Sequence, residues 1–251
     1  MTANLQRNVS ETDDLLRLTD VHTHIGQYHI LHGVSFRVPR NQVTMLLGRN
    51  GAGKTTTMRT IMGLWPAHSG QVHLKDRAIE TLDTMTIARS GVHYVPENMG
   101  IFAGLTVEEN VRLATRQNRF NQDRLTWVFG LFPALEKFWH WPAGQLSGGQ
   151  KQMLAIARAI IEPCEILLVD EPSKGLAPSI IESLIRAFRE LKDADTTILM
   201  VEQNFRMAST LGDHVAIMDD GCIVHESDMA SFVADKDKQA SLLGLSMEAH
   251  Q

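Results

Sequence analysis

The stretch Val43-Thr44-Met45-Leu46-Leu47-Gly48-Arg49-Asn50-Gly51-Ala52-Gly53-Lys54-Thr55-Thr56 decides how the rest of the chain is read. Its first five residues are an apolar run broken only by a threonine, the pattern of a strand buried on both faces. After it, Met58, Ile61 and Met62 recur at helical spacing, and the pattern stops at Gly63 with Pro66 beyond. Strand, glycine-rich turn, Lys-Thr and helix together form an arrangement that wraps a polyphosphate. Glycines let the backbone approach phosphates and turn its N–H groups inward, and the helix adds the partial positive charge of its N-terminus. The candidate contacts to a nucleoside triphosphate are Gly48, Asn50, Gly51, Ala52, Gly53, Lys54, Thr55 and Thr56. Lys54 is placed to reach the β- and γ-phosphates, and the Thr55 hydroxyl to ligate Mg²⁺.

At 251 residues the chain can bury one large core, or one domain with an inserted lobe. Its longest apolar runs are about six residues, against the ~20 that a membrane-spanning helix needs. The polar, acidic start lacks the basic-then-apolar order of a signal peptide. Cys164 and Cys222 offer neither a disulfide framework nor metal-ligand spacing, so they are read as buried free thiols. A net charge of −5 argues against nucleic acid as the main partner. Membrane association would therefore come through another protein.

Leu15 to Val21 and Val34 to Val38 read as short strands, the second with Val34, Phe36 and Val38 alternating. Between them His22, His24, His29 and His32 invite a metal reading. No carboxylate or cysteine joins them at a recurring ligand spacing, so they are read as structural. Further strands are expected at 71–74 and 92–95. Residues 106–142 lose the strand rhythm, and Thr106 with Glu109 spells a helix-starting capping box. The aromatic residues Trp127, Phe129, Phe132, Phe138, Trp139 and Trp141 are expected mostly in the core of a helical lobe, Trp139 and Trp141 being candidates for a partner surface. Ser147 is a plausible N-cap for a helix carrying Met153, Ile156 and Ile160 on one face. The buried run Ile166-Leu167-Leu168-Val169 ends in Asp170-Glu171. In open α/β sheets, ligands sit off the carboxyl ends of strands. Asp170 is thus placed to hold Mg²⁺ through its water shell, and Glu171 to take a proton from an attacking water. A helix over 180–191, a strand over 196–201 ending in Glu202-Gln203, and a hairpin over 215–224 complete the pattern.

Three motifs in this order, residues 48–55, Leu146-Ser147-Gly148-Gly149-Gln150, and 166–171, resemble the ATP-binding subunit of ABC transporters over residues 15–240. The resemblance implies an α/β fold: a P-loop NTPase core with a mostly parallel sheet, an antiparallel β lobe, and an inserted helical lobe at about 100–160. Residues 1–14 would be a flexible start and 241–251 a tail. It implies ATP and Mg²⁺ as cofactors and a second such subunit packed head to tail. Ser147, Gly148, Gly149 and Gln150 of one subunit would then close over the triphosphate of the other. The phrases Leu105-Thr106-Val107-Glu108-Glu109-Asn110, Gly175-Leu176-Ala177-Pro178 and Val201-Glu202-Gln203-Asn204 look like those of the branched-chain amino acid importer group, with urea and short-amide importers as alternatives. That group works at the cytoplasmic face of the membrane with transmembrane permeases and, indirectly, an external solute-binding protein.

The chain departs from the wider family at several positions. Ile25 stands where an adenine-stacking aromatic is usual, which implies a weaker contact and relaxed base selectivity. Glu97 replaces a glutamine and is assigned by resemblance to the metal. Gln203 holds the position of the switch histidine; it can hydrogen-bond the γ-phosphate or water but cannot become a cation. Lys174 and Ala177 depart from the usual dimer-contact loop. Compactness in a single cassette argues against the DNA-repair and translation ATPases that share the motifs.

Overall fold

The computed structural model describes residues 14–244. The chain opens with a long hairpin, β1 (Asp14–Ile25) and β2 (Tyr28–Pro39), then enters the first parallel strand, β3 (Val43–Gly48), and α1 (Lys54–Ile61). Strands β4 (Ser69–Leu74) and β5 (Arg77–Ala78) return to the hairpin's sheet, and α2 (Thr84–Arg89) leads to β6 (Val92–Val95). Four helices follow: α3 (Val107–Arg112), α4 (Gln122–Leu131), α5 (Pro133–Lys137) and α6 (Gly148–Ile160). The rest alternates: β7 (Ile166–Asp170), α7 (Pro178–Asp193), β8 (Thr197–Val201), α8 (Phe205–Leu211), β9 (His214–Asp219), β10 (Cys222–Asp228), α9 (Met229–Ala234) and α10 (Lys236–Leu243).

Two sheets result. One is antiparallel, in the order β2-β1-β4-β5; the other runs β10-β9-β3-β8-β7-β6, parallel throughout except for β10 at its edge. Every residue of β7 and β8 is buried because the sheet separates two apolar clusters. Leu167, Val169, Ile198 and Met200 face the helices, while Ile166, Leu168, Leu199 and Val201 face α1 and the antiparallel sheet. A strand with both faces covered has no solvent side on which to alternate, hence the continuous apolar runs.

The first hairpin is longer than the short strands expected at 15–21 and 34–38. One face (Val21, Thr23, Leu31, Val34) is buried, and the Thr23 hydroxyl lies 3.1 Å from that of Thr60 on α1. The other face carries the four histidines, with His24 stacked on His29 at 4.2 Å between ring centres. Among the described residues, no three His, Cys, Asp or Glu side chains are arranged to hold a metal ion.

In the helical segment, the Thr106–Glu109 capping box forms as written: Glu109 N donates to Thr106 Oγ1, and Thr106 N to Glu109 Oε2. Buried Asn110 then ties the preceding loop down, accepting from Phe102 N and donating to the carbonyls of Phe102 and Thr106. Of the aromatics, Phe132 is core, Trp139 is partly buried against Phe120 and Phe129, and Trp141 is 51% exposed. The loose start expected at 1–14 lies outside the described residues except for Asp14, which opens β1. The tail expected at 241–251 is helical to Leu243, and 245–251 lie outside. No helix among the described residues is long and apolar enough to cross a membrane.

Both cysteines are free and only partly buried. Cys164 packs against the helical cluster, and burial pushes its thiol up to about 11. Since the thiolate is the nucleophile, about one Cys164 in a thousand is reactive at pH 8. Iodoacetamide followed by peptide mass spectrometry should modify Cys164 slowly at pH 8 and about tenfold faster for each unit of pH up to 10. A pH-independent rate would contradict this environment.

Candidate nucleotide site

The glycine-rich turn begins where β3 meets β9. Gly48 has φ 148°, and a Cβ there would stand 2.1 Å from the Met218 carbonyl oxygen. This first glycine is therefore demanded by the packing of two strands as much as by any ligand. Gly51, at φ 83°, has open space around it, so its need is conformational. The turn ends at Gly53, and α1 starts with no side chain capping its first amides. Those amides are free to meet an anion. The Lys54 ammonium folds back onto the carbonyls of Gly48 (2.8 Å) and Arg49 (2.9 Å); burial lowers its pKa.

From the second residue of α1, the Thr55 hydroxyl reaches Asp170 Oδ1 at 3.2 Å, joining the turn to the end of β7. Tyr94 on the neighbouring β6 donates to Asp170 Oδ2, also at 3.2 Å. Asp170 is fully buried, and desolvation raises its pKa despite these two bonds. A hydroxyl and a carboxylate side by side are hard oxygen donors, the set Mg²⁺ takes while keeping most of its water. Glu97, the third residue expected to serve the metal, is bonded instead to Lys174 Nζ at 2.5 Å.

Glu171 adopts φ 48°, a left-handed conformation that is costly for a side chain with a Cβ. Its amide is held by the Val201 carbonyl at 2.9 Å. Its Oε1 accepts from Gln203 Nε2 at 2.5 Å, and the same nitrogen donates to Asn50 Oδ1 at 2.7 Å. Asn50, Gln203 and Glu171 are thus one chain of contacts across the turn and the ends of β7 and β8. Glu171 Oε2 is buried, accepts no hydrogen bond, and faces Lys174 Nζ at 3.4 Å.

Two other expected groups lie apart from this chain of contacts. Ile25 pairs with Tyr28 at the tip of the hairpin; Tyr28 is 65% exposed. Ser147 caps α6 in a full capping box with Gln150, and both Ser147 and Gly148 are exposed. Gly149 is buried, and a Cβ there would lie 2.8 Å from Ile180 Cγ2, so packing within the chain already requires a glycine.

Sequence reasoning missed Tyr94, Lys174 as a partner of carboxylates, and above all Glu202. Only 2% exposed, Glu202 accepts from the Ser173 amide and hydroxyl and from the amides of Gln203 and Asn204. Burial raises its pKa, and these four bonds oppose the rise. Nothing local in Val201-Glu202-Gln203 separates this anchor from an exposed loop acid.

Residues 31–174 match the ABC transporter family. Over 234 residues the chain is 36% identical to the high-affinity branched-chain amino acid transport ATP-binding protein BraG of Pseudomonas aeruginosa, covering 92% of this chain and all of that one. This chain belongs to the ABC transporter family as an ATP-binding cassette. The cassette is also 36% identical to the probable branched-chain amino acid transport ATP-binding protein LivF of Archaeoglobus fulgidus, over 82% of this chain and 89% of that one. Its fold is that of a dimeric ATP-binding cassette solved with ADP and phosphate, at a TM-score of 0.76 and 23% identity over 85% of this chain and 98% of the other. The expected fold, and the likeness to the branched-chain importer group, both hold.

Replacing Glu202 by Ala leaves buried amides without an acceptor, and is expected to lower stability by about 2–4 kcal/mol. Urea denaturation monitored by fluorescence reads this as a lower midpoint at unchanged slope. An unshifted midpoint would mean that Glu202 anchors nothing.

Proposed function

We propose that this cassette binds ATP with Mg²⁺, pairs head to tail with a second copy or near-copy, and hydrolyses the triphosphate to drive uptake of branched-chain amino acids. The pair would act through permeases at the cytoplasmic face of the membrane, loaded by an external solute-binding protein. The observation that carries the reading is the Thr55–Asp170 contact. It joins an uncapped helix start to a carboxylate at the end of the next parallel strand but one. The solute comes from the names of the two relatives.

In this reading the phosphates lie over the amides of the 48–56 turn. Lys54 leaves two backbone carbonyls to bond β- and γ-oxygens. Thr55 and Asp170 would hold Mg²⁺, which would supply charge neutralisation to the triphosphate. Glu171 Oε2, buried and without a hydrogen bond, takes the proton of a water aligned with the γ-phosphorus. The new P–O bond forms from that water as the bond to the ADP oxygen breaks. Gln203 holds Glu171 through its other oxygen and remains neutral throughout. From the opposite subunit, the Ser147 hydroxyl accepts the Gln150 amide and still has its own proton to donate to a γ-oxygen.

Glu171→Gln should retain ATP binding and lose turnover by about a hundredfold or more, measured by phosphate release. Lys54→Ala should weaken both binding and turnover; undiminished hydrolysis in Glu171→Gln would remove Glu171 from its role.

For the solute, cells lacking this gene should take up radiolabelled leucine more slowly than the parent. The cassette drawn from detergent extract should bring polytopic permeases with it. Normal leucine uptake with impaired urea uptake would move the solute to the short amides.

A further inference from the structure

Three carboxylates, Asp170, Glu171 and Glu97, and two ammonium groups, Lys54 and Lys174, meet at these strand ends within electrostatic reach of one another. They are not evenly matched. Lys54 gives its hydrogen bonds to backbone carbonyls. Lys174 faces the acids, 2.5 Å from Glu97 Oε1 and 3.4 Å from Glu171 Oε2. That second oxygen is buried, the Glu171 side chain being 9% exposed, and accepts no hydrogen bond of its own.

The backbone under Lys174 is fixed. Ser173 is bound twice by Glu202, and the Lys174 amide donates to the Glu171 carbonyl at 3.2 Å. Only the lysine side chain, 59% exposed, is left to move. An ion pair this exposed is weak and exchangeable. A carboxylate that holds an ammonium is not available to a metal, and a divalent cation brings twice the charge to the same oxygens.

We propose that Lys174 is a tethered counter-cation that occupies Glu97 and Glu171 in the nucleotide-free cassette and gives up Glu97 when a divalent cation enters beside Asp170. Lysine and metal then compete for the same acids. Lys174 is a positioning residue: it acts through its contacts with Glu97 and Glu171 and sets where those two carboxylates rest. The proposal depends on the reading of Thr55 and Asp170 as the cation site.

The test uses the full chain without nucleotide and Mn²⁺ as the probe, with free Mn²⁺ measured by electron paramagnetic resonance. Lys174→Gln should bind Mn²⁺ about fivefold tighter or more, while Lys174→Arg, which keeps the charge, should stay at the parent value. Adding Glu97→Gln to Lys174→Gln should abolish the gain. Unchanged or weaker Mn²⁺ binding in Lys174→Gln overturns the competition, and so does a gain that persists in the double variant. A separate control tests the site itself. If Asp170→Asn binds Mn²⁺ as well as the parent does, the cation-site reading fails, whatever Lys174 does.

Discussion

A single buried carboxylate fixes the geometry on which the candidate site depends. Glu202 follows the last residue of β8, and its four hydrogen bonds bind the turn after β7 to the turn after β8. Parallel strands bring their carboxyl ends to one edge of the sheet but do not set the path of the loops beyond. Glu202 sets two of them. With Ser173 and Gln203 held, Glu171 is kept in its left-handed conformation within reach of Gln203, and Lys174 is aimed back at Glu97. A charged group at 2% exposure persists only because every donor around it is turned inward. The same donors are the backbone of the loops being positioned.

What was legible in the sequence was local. The strand, turn and start of α1 could be read from fourteen consecutive residues, the Thr106–Glu109 capping box from four, and Ser147 as an N-cap. The contacts that make a site of these pieces join residues far apart: Thr55 with Asp170, Tyr94 with Asp170, Glu97 with Lys174. No periodicity records such pairs: Thr55 follows a glycine turn, Tyr94 lies within β6, and Glu97 and Lys174 stand in loops. The strand-end position gave places to Asp170 and Glu171, and the family resemblance gave one to Gln203. It gave none to Lys174, where this chain departs from the usual pattern.

The first hairpin shows a different kind of illegibility. Strand periodicity fails when the register shifts, and β1 and β2 shift between Leu18 and Val21 and again between Thr23 and His24. Each shift inverts the alternation of inward and outward side chains. The segment 22–33 therefore reads as a polar, histidine-rich loop although most of it lies in paired strands. Beyond Val21 its fully buried side chains are Thr23, a polar residue, and Leu31, so no apolar alternation marks a strand.

Burial sorts the polar groups of the site into those that hold and those that move. Glu202 and Asp170 are nearly or wholly inaccessible, and each of their carboxylate oxygens accepts at least one hydrogen bond, so moving either breaks buried contacts. Lys54 is also buried, but its partners are carbonyls that phosphate oxygens can replace at little net loss, one acceptor for another. Glu97 and Lys174 stand in water, where breaking a pair costs least. A site arranged this way binds an anion without unfolding its own scaffold. The rearranging contacts are those on lysine side chains, and the carboxylates that set the loops stay where the sheet has put them.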